Sequence, residues 1–597
     1  RFGGLVAVLP DPMTGRTHMT TDLLMRTRRA LWVLALALLG TAAWAQPAQY
    51  PLLSRDGGGV KPNIVVTLDN SSSMLSRYMP ETTVRLYTWS FAMPNNGDEF
   101  RYHPNDTLDG HSRLLSSDPA EATASWAARL MRSADVNTVY YNPKIRYRPW
   151  PIPDGTGRLP NARPTAAPNN PLNLSAAPTA NLTTITTVTF ASGWCFRNGS
   201  NSCSSTSASD RFDPGMYYVL KTDPSTGRYL SPTLSASYVA YSINSGTATY
   251  TKHPKRLDCL GASCTRAEEQ QNFANWYTYF RSRQLLQRGA VGEAFFDQPN
   301  EYRLGYGSTG KSAASTIDGL SIATLAAGVR DLTTSTRAQF ITWTYNLAYV
   351  SGTPLRRVMN DVGRYYQYAD NRGPWGDSPG SLISGAHKSC RRAYHIMVTD
   401  GYWNTTNEGT VPSWPGNSDD TDGLTITGAG GKSFKYVPVR PYRDSSSDRL
   451  ADIAMKYWKT DLRDIDNKVV PSAENPAFWQ HMVNFTVGLG VRGTLDPATD
   501  LPALTSGAKS WGTDAIDDLW HAAINSRGKF FSASDPSELA TALKSAVGDA
   551  LVCELKEVGV VTASSTLESD NRKYVPKYKT GAWTGDVEAY VLDSAGQ

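Results

Sequence analysis

The hydrophobic pattern of this chain is a strand and helix alternation with a long interruption. Lys61-Pro-Asn-Ile-Val-Val-Thr-Leu-Asp69 is a short β-branched run that ends on an acidic residue. It predicts a strand buried on both faces, and the polar Asn-Ser-Ser-Ser that follows predicts a loop. From about Tyr78 to Arg266 the periodicity gives way to sequence rich in aromatic residues, Pro, Gly, Ser and Asn, including the stretch Pro160 to Thr187. This segment reads as an insertion at about 75–266 with a few short strands, such as Met216 to Lys221 and Tyr238 to Ile243.

Helical spacing returns over Glu268 to Phe296, through Phe273, Trp276, Phe280, Leu285 and Val291, and the strand Tyr302 to Tyr306 follows. Further helices are expected over Thr333 to Tyr349, Thr353 to Tyr366, Ser447 to Trp458, Thr513 to Asn525 and Pro536 to Leu551. Strands are expected at Ala393 to Asp400, Met482 to Leu489 and Lys529 to Ser532. Such alternation implies an α/β fold, a doubly wound and mostly parallel sheet covered on both faces, spanning residues 61–552. After Cys553 the pattern becomes strand-like again, at Gly559 to Ala563, Arg572 to Tyr578 and Gly581 to Asp593. Residues 553–597 therefore read as the start of an all-β domain that continues past Gln597.

The N-terminus changes the compartment. Met25 opens a basic start, an apolar run from Leu31 to Leu39 and an Ala-x-Ala end at Ala45, the three parts of a secretory signal peptide over 25–45. The run is too short to span a bilayer, so an exported protein rather than a transmembrane one is expected. Residues 1–24 read as an over-extended start. Taking 1–45 away removes five Arg and two Asp and leaves 54 basic and 52 acidic residues, so the net charge falls from +5 to +2. No basic run is interleaved with aromatics, which excludes the footprint of a nucleic-acid binder.

Six cysteines in an exported chain favour disulfides. The short spacings suit Cys195 with Cys203 and Cys259 with Cys264, leaving Cys390 with Cys553. Neither close pair has C-x2-C spacing, which argues against zinc.

The candidate chemistry lies in three loops. Asp69-Asn-Ser71-Ser-Ser73 places one carboxylate and two hydroxyls at i, i+2 and i+4, Ser351-Gly-Thr353-Pro-Leu355 opens a helix, and Val398-Thr-Asp400-Gly-Tyr-Trp-Asn404 follows a buried strand. Five oxygen donors with only two negative charges suit a hard divalent cation with a coordination position left for an incoming oxygen. In an open α/β sheet, loops at the carboxyl ends of the strands converge where the strand order reverses. Because the five side chains stand at loop ends, their removal is expected to cost little packing.

The ordered set D-x-S-x-S, G-T-P-L and T-D-G resembles the metal-ion-dependent adhesion site of von Willebrand factor A domains. That resemblance implies that Asp69, Ser71, Ser73 and Thr353 ligate Mg2+ (or Mn2+ or Ca2+) directly or through water, with Asp400 holding a coordinated water. The insertion after Ser73 departs from the pattern. The whole arrangement, with Thr399-Asp-Gly-Tyr-Trp-Asn404 and the terminal Trp583-Thr-Gly-Asp-Val-Glu-Ala-Tyr590, is similar to the PilC/PilY family of type IV pilus tip-associated proteins. The family implies a C-terminal β-propeller whose calcium loop would lie beyond Gln597. It also implies a place in the periplasm, at the outer surface or at the pilus tip, with minor pilins or an acidic group on a host or other surface as partner.

Other motifs carry less. Gly305-Tyr-Gly307-Ser-Thr-Gly310 matches a dinucleotide fingerprint but lacks a following helix opening, and reads as a glycine-rich loop. Asn417 to Gly423 has acidic spacing without the Glu of an EF-hand, and reads as a solvated acidic turn. His395 falls inside a strand pattern and reads as a core histidine. There is neither H-E-x-x-H nor G-x-S-x-G, so no catalytic residues are assigned. A binding protein, an adhesin or pilus-assembly factor, is the expected class. A metal-dependent hydrolase and a passive matrix protein with a structural metal are the alternatives.

Overall fold

The computed structural model describes residues 60–79, 100–102, 113–114, 129–190 and 208–552, the last two with short gaps, and strands between 561 and 591. The signal segment, Cys195, Cys203 and Cys553 lie outside the described residues. Two compact units are present, one comprising Gly59–Glu554 and the other containing the C-terminal strands. In the C-terminal unit Val561–Thr562, Arg572–Lys579 and Thr584–Val591 form a three-stranded antiparallel sheet.

The larger unit is built on six strands: β1 Asn63–Leu68, β2 Arg303–Ser308, β3 Leu325–Asp331, β4 Ala393–Thr399, β5 Met482–Leu489 and β6 Phe530–Ala533. Their order across the sheet is β3-β2-β1-β4-β5-β6. All neighbours pair in parallel except β3, which runs antiparallel along the β2 edge. Every residue of β1, β4 and β5 is buried, which is why these strands read as unbroken apolar runs. Successive side chains go to opposite faces. Ile64, Val66 and Leu68 join one apolar cluster, and Val65 joins the other.

On the first face pack α1 Arg266–Tyr279, α2 Arg283–Phe295, α3 Thr334–Tyr345 and α7 Pro536–Val552. The second face is covered by α4 Leu355–Gln367, α5 Leu450–Lys459 and α6 Ala515–Asn525. The single helix expected over Glu268 to Phe296 is two helices. Thr265 closes a capping box with Glu268 at the start of α1, the helix ends at Phe280, and the Ser282 side chain accepts from the Leu285 amide to start α2.

The insertion is part of the first-face core rather than an appendage. Trp276 of α1 is fully buried among Tyr102, Tyr140, Tyr141 and Phe273, with ring centroids 4.8 to 6.1 Å away. Its indole N–H donates to the Val139 carbonyl at 2.8 Å. Aromatic abundance in 75–266 therefore buys contact area against the helices, a use that periodicity does not reveal.

The glycines of Gly305-Tyr-Gly307 lie within β2 and answer to packing. A Cβ on Gly307 would stand 2.3 Å from the Thr324 carbonyl oxygen of the loop before β3, so the antiparallel neighbour could not approach. Cys259 and Cys264 form the expected disulfide, with sulfurs 1.95 Å apart. The other expected bridge, from Cys390 to Cys553, ends on a residue outside the described ones. Cys390 is a free thiol in the turn that precedes β4.

Candidate functional site

Strand order reverses between β1 and β4, and the two aspartates are the residues that immediately follow these strands. This is the switch point at which open α/β sheets bind ligands. Asp69 and Asp400 are both buried, at 0% and 1% exposure. Because both are buried, the expectation that their removal costs little packing is corrected.

Asp69 is held on both oxygens. Oδ1 accepts from the Ser71 amide at 2.8 Å and from the Thr309 hydroxyl at 3.3 Å, and Oδ2 accepts from the Thr399 hydroxyl at 2.7 Å. The Ser71 and Ser73 hydroxyls are hydrogen-bonded to each other at 2.9 Å, with Ser71 buried and Ser73 half-buried. A short 3-10 turn, Ser72–Leu75, follows and buries Met74 and Leu75.

Thr353 is buried in the loop that leads into α4, after Gly352 at φ 86°. This loop is laced to both others through backbone. The Val350 amide donates to the Asn70 carbonyl at 2.7 Å, the Thr353 amide to Asn404 Oδ1 at 3.3 Å, and the Asn404 amide to the Thr353 carbonyl at 3.1 Å. Asn404 of the T-D-G-Y-W-N run thus works as a clamp between the Asp400 loop and the Thr353 loop. Trp403 beside it donates to Asp518 at 3.1 Å and carries the Arg356 guanidinium 5.0 Å above its ring.

Asp400 is treated differently from Asp69. Its Oδ2 accepts from the Arg283 guanidinium at 2.8 Å, and its Oδ1 is buried with no hydrogen-bond partner. Burial, and then the nearby Asp400 charge, push the Asp69 carboxyl up to about 6. Two neighbouring buried carboxylates, with one oxygen unpartnered, are a deficit of positive charge. Among the described residues no group of three or more His, Cys, Asp or Glu is disposed to hold a metal. This site has only two such groups, and its other donors are the hydroxyls of Ser71, Ser73 and Thr353. Donor chemistry and the orphaned oxygen both fit a hard cation.

Four residues that hold the site were not assigned to it from the sequence, although Thr309 lies in the Gly305–Gly310 run and Thr399 in the T-D-G run: Arg283, Gln287, Thr309 and Thr399. Gln287 of α2 donates to the Asp69 carbonyl at 3.2 Å. Thr399 stands next to Asp400, and its strand register could have suggested it. The others act across more than 200 residues of chain or from the far side of the insertion, where spacing gives no signal.

A second acidic centre lies on the other face. Asp419, expected in a solvated turn, is fully buried and accepts from the Asp444 amide at 3.1 Å and from Asn525 Nδ2 at 2.9 Å. Asp452 accepts from the Ser418 amide at 2.7 Å and the Arg449 amide at 2.9 Å. Burial, and then Asp452, push Asp419 up to about 8, and burial pushes Asp452 to about 7. His521 lies 3.6 Å from both Asp419 and Asp444, yet burial lowers it to about 3, so it is a neutral ring donating to the Tyr442 carbonyl at 2.6 Å. His395 is buried between Thr67, at 2.8 Å, and Asn484, at 2.9 Å, as a core histidine would be.

The fold and this loop cluster define an α/β protein with an oxygen-rich site at the reversal of strand order. No family model matches the chain. It is 29% identical over 600 residues to the type IV pilus biogenesis factor PilY1 of Pseudomonas aeruginosa strain PAK, covering 92% of this chain and 44% of that protein. It is 30% identical over 534 residues to PilY1 of strain UCBPP-PA14, covering 83% of this chain and 38% of the relative. The chain belongs with the PilC/PilY family, and it spans less than half the length of the curated relatives it matches.

Proposed function

We propose that this chain is the metal-dependent adhesive portion of an exported type IV pilus biogenesis factor, with a von Willebrand factor A-like domain acting at the pilus tip. The observation that carries the reading is the placement of Asp69 and Asp400 on adjacent strands at the reversal of strand order, with one Asp400 oxygen buried and unpartnered. The similarity to PilY1 supports the assignment to pilus biogenesis. Among the described residues no helix is long and apolar enough to cross a membrane.

In this reading Ser71, Ser73 and Thr353 supply neutral hydroxyls, Asp69 supplies a fixed carboxylate, and Asp400 supplies its free oxygen. A bound Mg2+, Mn2+ or Ca2+ would provide a Lewis-acidic position for an oxygen of the partner. Few anionic ligands leave the cation enough charge to attract an acidic group on a minor pilin or a surface. Hydrolysis is disfavoured because Asp69 is held by three donors and Asp400 by Arg283, which leaves no free general acid.

The test is made in cells. Thr353→Ala and Asp400→Asn strains are compared with wild type for surface pili, twitching and adhesion, after secretion and circular dichroism controls. Asp400→Asn is chosen over Ala because truncation would strand the buried Arg283 cation. Both variants are expected to be secreted and folded while pilus-dependent behaviour falls well below wild type. Normal behaviour in all three assays would reduce any bound metal to a structural role and favour the passive-matrix reading.

A further inference from the structure

The insertion departs just after the seryl loop, and its first residues meet the start of α2, which reaches Asp400. The Arg283 amide donates to the Ser76 carbonyl at 3.1 Å, and its Nε donates to the Tyr78 carbonyl at 2.7 Å. The same guanidinium lies 4.9 Å from the Tyr78 ring centroid and gives Nη1 to Asp400. One helical turn later Gln287 reaches the Asp69 carbonyl. A single helix start therefore touches the departing chain and both acidic strand ends. The Arg283 and Asp400 side chains are 1% and 2% exposed, so water screens their interaction little.

We propose that Arg283 is the resident counter-cation of the Asp69 and Asp400 pair, which holds the site together without a divalent ion and, by charge repulsion, weakens the binding of one. The inference rests on the metal-site reading above. Its new content is that α2, through Arg283, sets the metal affinity of the domain.

A guanidinium stays protonated at any pH a protein survives, so its charge cannot be shed when a divalent ion arrives. In a buried site each like charge within a few ångströms opposes the ion more strongly than in water. Without the divalent ion, the same charge neutralises a carboxylate that would otherwise be buried unpaired, a costly state. One side chain therefore lowers metal affinity and raises metal-free stability. A residue that only oriented Asp400 would do the reverse to affinity, since loss of such supports costs roughly 10- to 100-fold in metal binding.

The experiment uses Arg283→Met, which keeps the length and loses the charge, and Arg283→Lys, which keeps the charge. Mg2+, Mn2+ and Ca2+ are titrated into each metal-stripped protein by calorimetry, and melting is followed with and without the ion. Arg283→Met is expected to bind at least about tenfold tighter than wild type, to melt lower when metal-free, and to gain more from added ion; Arg283→Lys is expected to bind like wild type. Should the Met variant fail to fold, Arg283→Gln, neutral but able to donate, is read in the same way. Binding in wild type that weakens or stays unchanged in the neutral variant would overturn this inference and leave the metal site standing. Absence of binding in every protein would overturn both.

Discussion

Trp276→Ala is expected to destabilise the larger unit by about 3 to 5 kcal/mol, the cost of emptying a fully buried indole site. The side chain is 0% exposed, lies within ring-contact distance of four aromatic residues, and satisfies the Val139 carbonyl. Tyr102, Tyr140 and Tyr141 belong to the insertion, so the cavity would open at the seam between the insertion and α1. Urea unfolding monitored by circular dichroism measures the loss. A change under about 1 kcal/mol would mean that the insertion does not share the core, since ordinary surface substitutions fall in that range.

Stability is expected to fall as pH rises from about 6.5 to 8.5, with Asp419 as the principal cause. Its carboxyl is raised to about 8 in the folded state, mainly by burial. A raised carboxyl pKa means that the folded protein holds a proton which the unfolded chain has released. The penalty is absent below the unfolded value near 4 and complete above the folded value near 8. His395, His481 and His521 are lowered to about 4, 4 and 3, so they act in the opposite direction, but only below their unfolded value of 6.5. Above neutrality the carboxylates therefore dominate, with a slope on the order of 1 kcal/mol per pH unit for one linked proton. Asp419→Asn removes the titrating group and should flatten this limb in melting or urea measurements. A wild-type profile that is level from pH 6.5 to 8.5 would contradict the burial argument.

Both examples bear on what the sequence discloses. Strands buried on both faces declare themselves: Met482–Leu489 has the boundaries read from its apolar run, and Ala393–Thr399 differs by one residue. The edge strand Leu325–Asp331 was invisible because it is only partly buried and mixes Ala, Gly and Arg, so neither period stands out. The break between α1 and α2 depends on the local geometry of Phe280 and the Ser282 cap, which spacing alone averages away. The placement of Asp69 and Asp400 just after buried strands and of Thr353 just before a helix was legible in the sequence. Arg283 was not. It reaches Asp400 across 117 residues, and an arginine at a helix start resembles many solvated ones until its burial is seen. Asp419 failed for the same reason in reverse, a residue in an acidic polar run that the fold carries inside.

The most direct measurement is whether the Asp69 and Asp400 site binds a divalent cation. Metal-stripped protein titrated with Mg2+, Mn2+ and Ca2+ in a calorimeter is predicted to show saturable binding of at least one of them, and Asp69→Ala, which removes one of only two carboxylates, is predicted to abolish it. Heats indistinguishable between wild type and Asp69→Ala for all three ions would contradict the account.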